Sequence, residues 1–315
     1  MTTPGAWDTV GVTRRLEITL AQLRYFVSAA EHLSMTAAAA EHFVAQSAVS
    51  TAIAQLESKV GTQLFIRQRA KGLVLTAAGE QLLADVRGVL TGLDAAVDAA
   101  REVDGDVRGR VRIGYFVTLA PFTLPEVLSR AKERYPDLVV EVDEVDLEGS
   151  AEALRSGRVE LAVGYGLGGA TGISREVVDE SPPYVLLPAD HPLAHRPAIG
   201  LRELSKERLI LLDLPHSREY FLGLLGSVGL EPEIRHRTPS FETVRALVAH
   251  GHGFSVLNQR PAHALAYDGG AVAAVPIRDD VPALPVVIST LEGARLSARA
   301  AAVAEVVRDV YHHRG

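Results

Sequence analysis

The 315-residue chain contains no cysteine. That absence excludes disulfides, zinc–thiolate sites and cysteine nucleophiles, and it suits a reducing compartment, so the cytoplasm is the expected location. Long apolar runs are missing as well. No uncharged stretch reaches the roughly 20 residues that a membrane span needs, and no membrane partner is expected. The stretch from Met1 to Glu17 carries Arg14 and Arg15 with no apolar core behind them in the order of an export signal. Residues 1–17 read as a poorly ordered tail. No serine occupies a G-x-S-x-G elbow, and no nucleophile, base and orienter are brought together by the sequence alone, so an enzyme is not expected. The 11 histidines offer no clear ligand set. His250 and His252 flank glycines at a helix end, and His191 and His195 are separated by Pro192, so neither metal nor cofactor is expected.

What is present is ordinary for a globular protein, with 47% hydrophobic and 23% charged residues over a length that suits two or three domains. The formal net charge of −7 is unevenly spread. From Ile18 to Thr76, Arg24, Lys59, Arg67, Arg69 and Lys71 outnumber Glu31, Glu41 and Glu57. A mildly basic head on an acidic body suits a nucleic-acid-binding module joined to something else.

The head has a readable order. Leu20, Leu23, Phe26, Val27 and Ala30 recur at helical spacing, which predicts a helix from Leu20 to His32. Ser34 can cap a second helix, whose run Ala37 to Ala40 permits close packing. After a turn near Val44 to Gln46, Ser47 opens a third helix with Val49, Ile53, Leu56 and Val60 inward, and Gly61 stops it. Two helices joined by a tight turn form a helix-turn-helix. Gln46, Ser47, Ser50 and Thr51 fall in the first turns of its second helix, where short polar groups and free N–H groups can meet phosphates and base edges. Two apolar runs from Leu64 to Thr76 then flank a basic turn, predicting a hairpin wing that lays Arg67, Arg69 and Lys71 along a DNA backbone.

Thr76 to Glu80 reads as a capping box opening a long helix to Asp104. Leu83, Val86, Leu90, Leu93, Val97 and Ala100 alternate in steps of three and four, the seam by which two helices pair. The run Asp104 to Gly109 breaks it as a hinge. From Arg110 onward short apolar runs alternate with helical segments, predicting βαβ units and a largely parallel sheet. The stretch Gly164 to Gly169 formally matches a dinucleotide G-x-G-x-x-G. A strand and not a helix follows it, so it reads instead as a flexible crossover between lobes.

Taken together, Leu23, Phe26, Ala38-Ala39, Gln46 to Ser50, Ile53, Leu56-Glu57, Gly61, Leu64-Phe65, Arg67, Leu75-Thr76 and Gly79 resemble the DNA-binding segment of LysR-type transcriptional regulators. The body is similar to the effector domain of that family at Ile113-Gly114, Leu124-Pro125, Tyr135-Pro136, Glu160 to Val163, His191 to Ala194 and Val248 to Gly253. The resemblance spans about residues 18–291. It implies a fold of winged helix-turn-helix (18–76), linker and dimerisation helix (77–104) and a two-lobed, periplasmic-binding-protein-like α/β effector domain (110–315). Lobe 1 is expected over about 110–166 and 267–315, and lobe 2 over about 167–266. It implies Gln46 and Ser47 at the groove, Ser50 and Arg67 on phosphates, a homotetramer built as a dimer of dimers on double-stranded DNA, and RNA polymerase as a partner. A small-molecule effector is expected in the cleft between lobes.

Thr118 matches a position that offers a hydroxyl to an effector carboxylate, and His216, Ser217 and Tyr220 lie at the matching turn of the second lobe. Thr51 and Ala52 are smaller than the family's usual residues, which shifts base reading toward Gln46 and DNA shape. Leu147 stands where many members carry Ser or Thr, and leucine cannot donate a hydrogen bond. For Tyr115, Phe241 and Asn258, a core or rim role competes with a cleft role. Two other function classes compete with this one: a solute-binding module whose head serves only assembly, and a nucleotide-dependent enzyme.

Overall fold

The computed structural model describes residues 17–68, 72–101 and 107–313. The chain divides into two compact units, 1–90 and 91–315.

In the first unit, α1 (Leu20–His32) opens with a capping box between Thr19 and Gln22. α2 (Met35–Glu41) opens on Ser34, whose Oγ accepts from Ala37 N at 3.2 Å. α3 (Gln46–Val60) starts one residue earlier than expected, on Ala45, and ends at Gly61 with φ +82°. A positive φ there costs glycine nothing. Phe26, Ala29, Ala38, Val49, Ile53 and Leu56 form one buried cluster, and a fully buried Phe, Ile or Leu stabilises by about 1.5–3 kcal/mol. Val60, expected inward, is 38% exposed because it lies in the last turn, beyond the reach of α1 and α2. β1 (Phe65–Gln68) and β2 (Gly72–Leu75) pair antiparallel, Phe65 opposite Leu75 and Gln68 opposite Gly72. Glu57 holds this hairpin to α3, its Oε1 accepting from Leu64 N at 2.7 Å and Phe65 N at 3.1 Å.

α4 (Ala77–Arg101) opens on Thr76, whose Oγ1 accepts from Gly79 N at 3.0 Å. The expected helix end at Asp104 and much of the hinge lie outside the described residues. Leu83 packs on the first unit's core and Val86 is buried, whereas Val97 is exposed.

The second unit contains two lobes. β3 (Gly109–Phe116), α5 (Ala120–Arg134), β4 (Leu138–Val145), α6 (Leu147–Arg155) and β5 (Leu161–Tyr165) form parallel βαβ units. β6 (Ile173–Ser181) joins the same sheet through β12 (Leu284–Leu291), in the order β4-β3-β5-β12-β6, with β12 antiparallel to both neighbours. α9 (Ala298–His312) covers this lobe's core.

In the other lobe, β7 (Tyr184–Pro188) pairs antiparallel with β10 (Ser255–Leu257) and β11 (Val272–Pro276). β8 (Leu209–Leu212) runs parallel to β9 (Ile234–Thr238). Ile210 N donates to Phe254 O at 2.8 Å, which stitches these two sheets together. α7 (Ser217–Ser227) and α8 (Phe241–Ala249) pack on this lobe's core.

The expected lobe limits need correction. β6 belongs to the first lobe's sheet and β11 to the second's, so the chain crosses at Pro182-Pro183 and returns between Pro276 and Leu284. The glycine stretch joins β5 to β6 within one sheet and is not the crossover between lobes. β12 accepts partners on both edges, and that closure drew β6 into the first lobe.

Candidate functional site

Two sites follow from this scaffold. On the head, Gln46, Ser47 and Thr51 are exposed on the first two turns of α3 and Ser50 is half-buried. Ala45 supplies no side-chain cap. Among the described residues no capping side chain therefore competes with an incoming anion at this helix end. The hairpin follows α3, with Arg67 in β1. Arg69 and Lys71, together with the turn that carries them, lie outside the described residues. Phe43, in the turn before α3, is 96% exposed and takes φ +55°.

In the second unit a cavity of about 20 Å³ opens where the lobes meet, lined by Thr118, Tyr165, Ser217, Tyr220, Phe241 and Asn258 among others. Thr118 sits between β3 and α5, and Ser217 is the first residue of α7. Both are buried, at 7% and 5% exposure. The turn before α7 brings His216 to φ +62°. Tyr220 packs against both lobes' cores, and the Phe122 and Phe241 rings meet edge-on at 5.6 Å across the lobes. Burial pushes the Tyr165 hydroxyl above its ordinary pKa, against hydrogen bonds to Gln259 and Thr118 that lower it. Burial likewise raises Tyr220, against its bond from Asn258.

Thr118, Ser217 and Tyr220 thus come together, but Leu147 and His216 do not join them. Leu147 is the first residue of α6, capped by Asp146 (Gly149 N to Oδ1, 2.7 Å). With His216, Glu148, Arg155 and Arg175 it lines a separate groove of about 300 Å³. There His216 Nε2 lies 3.8 Å from Glu148 and Arg175 donates to Gly168 O at 2.6 Å. Tyr115 is core, its hydroxyl 2.6 Å from Thr123. Asn258 and Phe241 face the cavity. Tyr165 and Gln259 are lining residues that the sequence reading missed, since strand β5 and the end of β10 become neighbours only through the crossings. Among the described residues no three His, Asp or Glu side chains gather to hold a metal. His250 pairs with Asp268 at 2.8 Å and His252 with His236 at 3.3 Å.

The sequence model described as "LysR substrate binding domain" matches residues 104–311, more than half of the chain. The chain belongs to the LysR family. A second model, "Bacterial regulatory helix-turn-helix protein, lysR family", matches residues 20–80. A probable hydrogen peroxide-inducible genes activator of Streptomyces viridosporus is 32% identical over 307 residues, spanning 94% of this chain and 97% of its own. Among solved structures, HinK, a LysR family transcriptional regulator from Pseudomonas aeruginosa, superposes with a TM-score of 0.65 at 31% identity over 95% of this chain and 100% of its own. A full-length OxyR variant from the same species reaches a TM-score of 0.75 at 25% identity over 94% and 98%. This LysR member is accordingly a DNA-binding transcription regulator with an effector-binding domain, and its relatives are regulators and not enzymes. No helix among the described residues is long and apolar enough to cross a membrane.

Proposed function

We propose that this regulator reads base edges with Gln46 and Ser47, grips phosphates with Ser50, Thr51, Arg67, Arg69 and Lys71, and answers to a ligand in the cavity between its lobes. The observation that carries the DNA half is the uncapped, polar first turn of α3, exposed and followed by the hairpin. A single head reads a half-site, so the working form is a dimer, paired through α4 and doubled into a dimer of dimers. The tail is 1–17, the head 18–76 and the linker helix 77–104. The protein acts in the cytoplasm, where it recruits RNA polymerase.

Thr118, Ser217 and Tyr220 line the proposed effector cavity, and His216 with Leu147 serve the adjoining groove. The Streptomyces relative is named as a probable activator of hydrogen peroxide-inducible genes. With no cysteine in the chain, thiol oxidation cannot be the signal here, and a reversibly bound molecule takes its place.

Gel-shift titration on the upstream intergenic DNA at several salt concentrations tests the DNA half. Arg67→Ala should weaken binding to all sequences and lower the salt slope by about one. Gln46→Ala should erode sequence preference. Wild-type binding no tighter and no more salt-dependent than that of Arg67→Ala and Ser50→Ala refutes these assignments.

A further inference from the structure

Asn258 is the one asparagine in the chain, and it stands at the junction of the lobes. It follows β10 and faces Ser181, the last residue of β6. Ser181 Oγ donates to Asn258 O at 3.1 Å, and Gln259 Nε2 donates to Ser181 Oγ at 3.1 Å. Asn258 Nδ2 donates to Ser181 O at 2.8 Å and to Tyr220 Oη at 3.1 Å. A backbone carbonyl only accepts, so Ser181 fixes which end of the amide is which. The amide oxygen is left over. The residue is 8% exposed, and among the described residues Oδ1 has no hydrogen-bond partner. A buried acceptor without a donor is a costly state, and such groups in native proteins mark a place for something else.

The surroundings restrict what that can be. Tyr220 Oη accepts from Asn258, and none of the described hydrogen bonds uses its proton. Beside the Thr118 and Ser217 hydroxyls of the same lining, Asn258 Oδ1 and the Tyr220 hydroxyl therefore set one acceptor and one donor next to each other. None of its lining residues carries a charge. At the neighbouring helix ends several of the first N–H groups are already taken by backbone carbonyls. Leu119 N donates to Phe116 O, Phe122 N and Thr123 N donate to Leu119 O, and Pro121 has no N–H. At α7, Ser217 N and Arg218 N both donate to Leu214 O. An anion entering here loses its water without a countercharge. The space of about 20 Å³ admits a group the size of one water.

We propose that the cleft ligand is uncharged and enters through a hydroxyl or similarly small amide, which donates to Asn258 Oδ1 and accepts from the Tyr220 hydroxyl. The proposal rests on the reading of this cavity as the effector site. It also gives the effector a lever, since its head group sits on the residue that ties β6 of one lobe to β10 of the other. A bulky body on the ligand must part the lobes to follow.

The single asparagine makes a direct test possible. Full-length protein labelled with nitrogen-15 asparagine has one side-chain amide signal. It is titrated with four probes of nearly equal shape: isopropanol and acetamide (neutral, donating and accepting), acetone (neutral, accepting only) and acetate (anionic, accepting only). Isopropanol and acetamide should move the Asn258 amide signal saturably, with acetone and acetate at least about tenfold weaker. Tyr220→Phe keeps the ring and removes the proton, and should weaken isopropanol about tenfold. Saturable shifts by acetone or acetate as strong as those of isopropanol overturn the donor requirement but leave the cavity a ligand site. No saturable shift from any probe overturns both, and leaves Oδ1 to an ordered water.

Discussion

Two glycines of α4 should respond in opposite directions to the same substitution. At Gly79 an added Cβ would lie 2.2 Å from the Leu64 carbonyl oxygen and 2.8 Å from Leu75 Cδ2. The carbonyl cannot yield cheaply, for it accepts from Thr76 N at 2.9 Å, and Leu64 N is held by Glu57 at 2.7 Å. At Gly88, about two and a half turns on, a Cβ meets nothing within 4 Å. Alanine is worth about 1 kcal/mol over glycine in a helix interior. Gly88→Ala should therefore stabilise by up to about 1 kcal/mol. Gly79→Ala adds overpacking of about 1–3 kcal/mol and strains one or two hydrogen bonds worth about 1 kcal/mol each, for a net loss of about 1–4 kcal/mol after the alanine gain. In a unit of this size each kcal/mol moves the melting temperature by about 4–8 °C. Calorimetry of the full chain, with hydrogen exchange of the head amides to assign the transition, reads both. If Gly79→Ala raises the head's stability as Gly88→Ala does, the argument that hairpin and helix are locked through Leu64 is wrong.

Other substitutions follow from single features. Phe43 is exposed and held at φ +55°, where a bulky side chain costs about 1–2 kcal/mol. Phe43→Asn should thus raise the head's melting temperature by several degrees. Arg245 is 2% exposed, paired with Glu242 at 3.0 Å and donating to Leu265 O at 2.8 Å. Arg245→Met should destabilise the second unit by about 3–5 kcal/mol, as removal of one partner of a buried pair does, and should speed exchange and proteolysis across residues 260–267. The Ser28 hydroxyl holds Glu41, and Arg308 holds Glu176, below the ordinary carboxylate value of 4.5. A carboxylate lowered in the folded state contributes stability above 4.5 that drains away as pH falls through the lowered value. Acid titration of Glu41→Gln and Glu176→Gln should show less loss of stability below pH 4.5 than wild type. Equal acid sensitivity would remove both pairs from the account.

Local chemistry carried much of this protein without help. The period of Leu20, Leu23, Phe26 and Ala30 set α1 at Leu20–His32, Ser34 and Thr76 set the starts of α2 and α4, and Gly61 set the end of α3. These signals lie within a few residues of their effects, so a linear reading captures them. The polar face of α3 was legible for the same reason. That Leu147 opens a helix was not legible, because the helix is capped by Asp146, whose role depends on where β4 ends. The lobe limits were misjudged because β6 and β12 are more than a hundred residues apart and pair only through closure of the sheet. Asn258, Tyr165 and Ser181 meet through those same crossings. Only the tertiary fold could bring one asparagine to the junction of two lobes with its nitrogen paired and its oxygen open, because that asymmetry depends on a carbonyl 77 residues away.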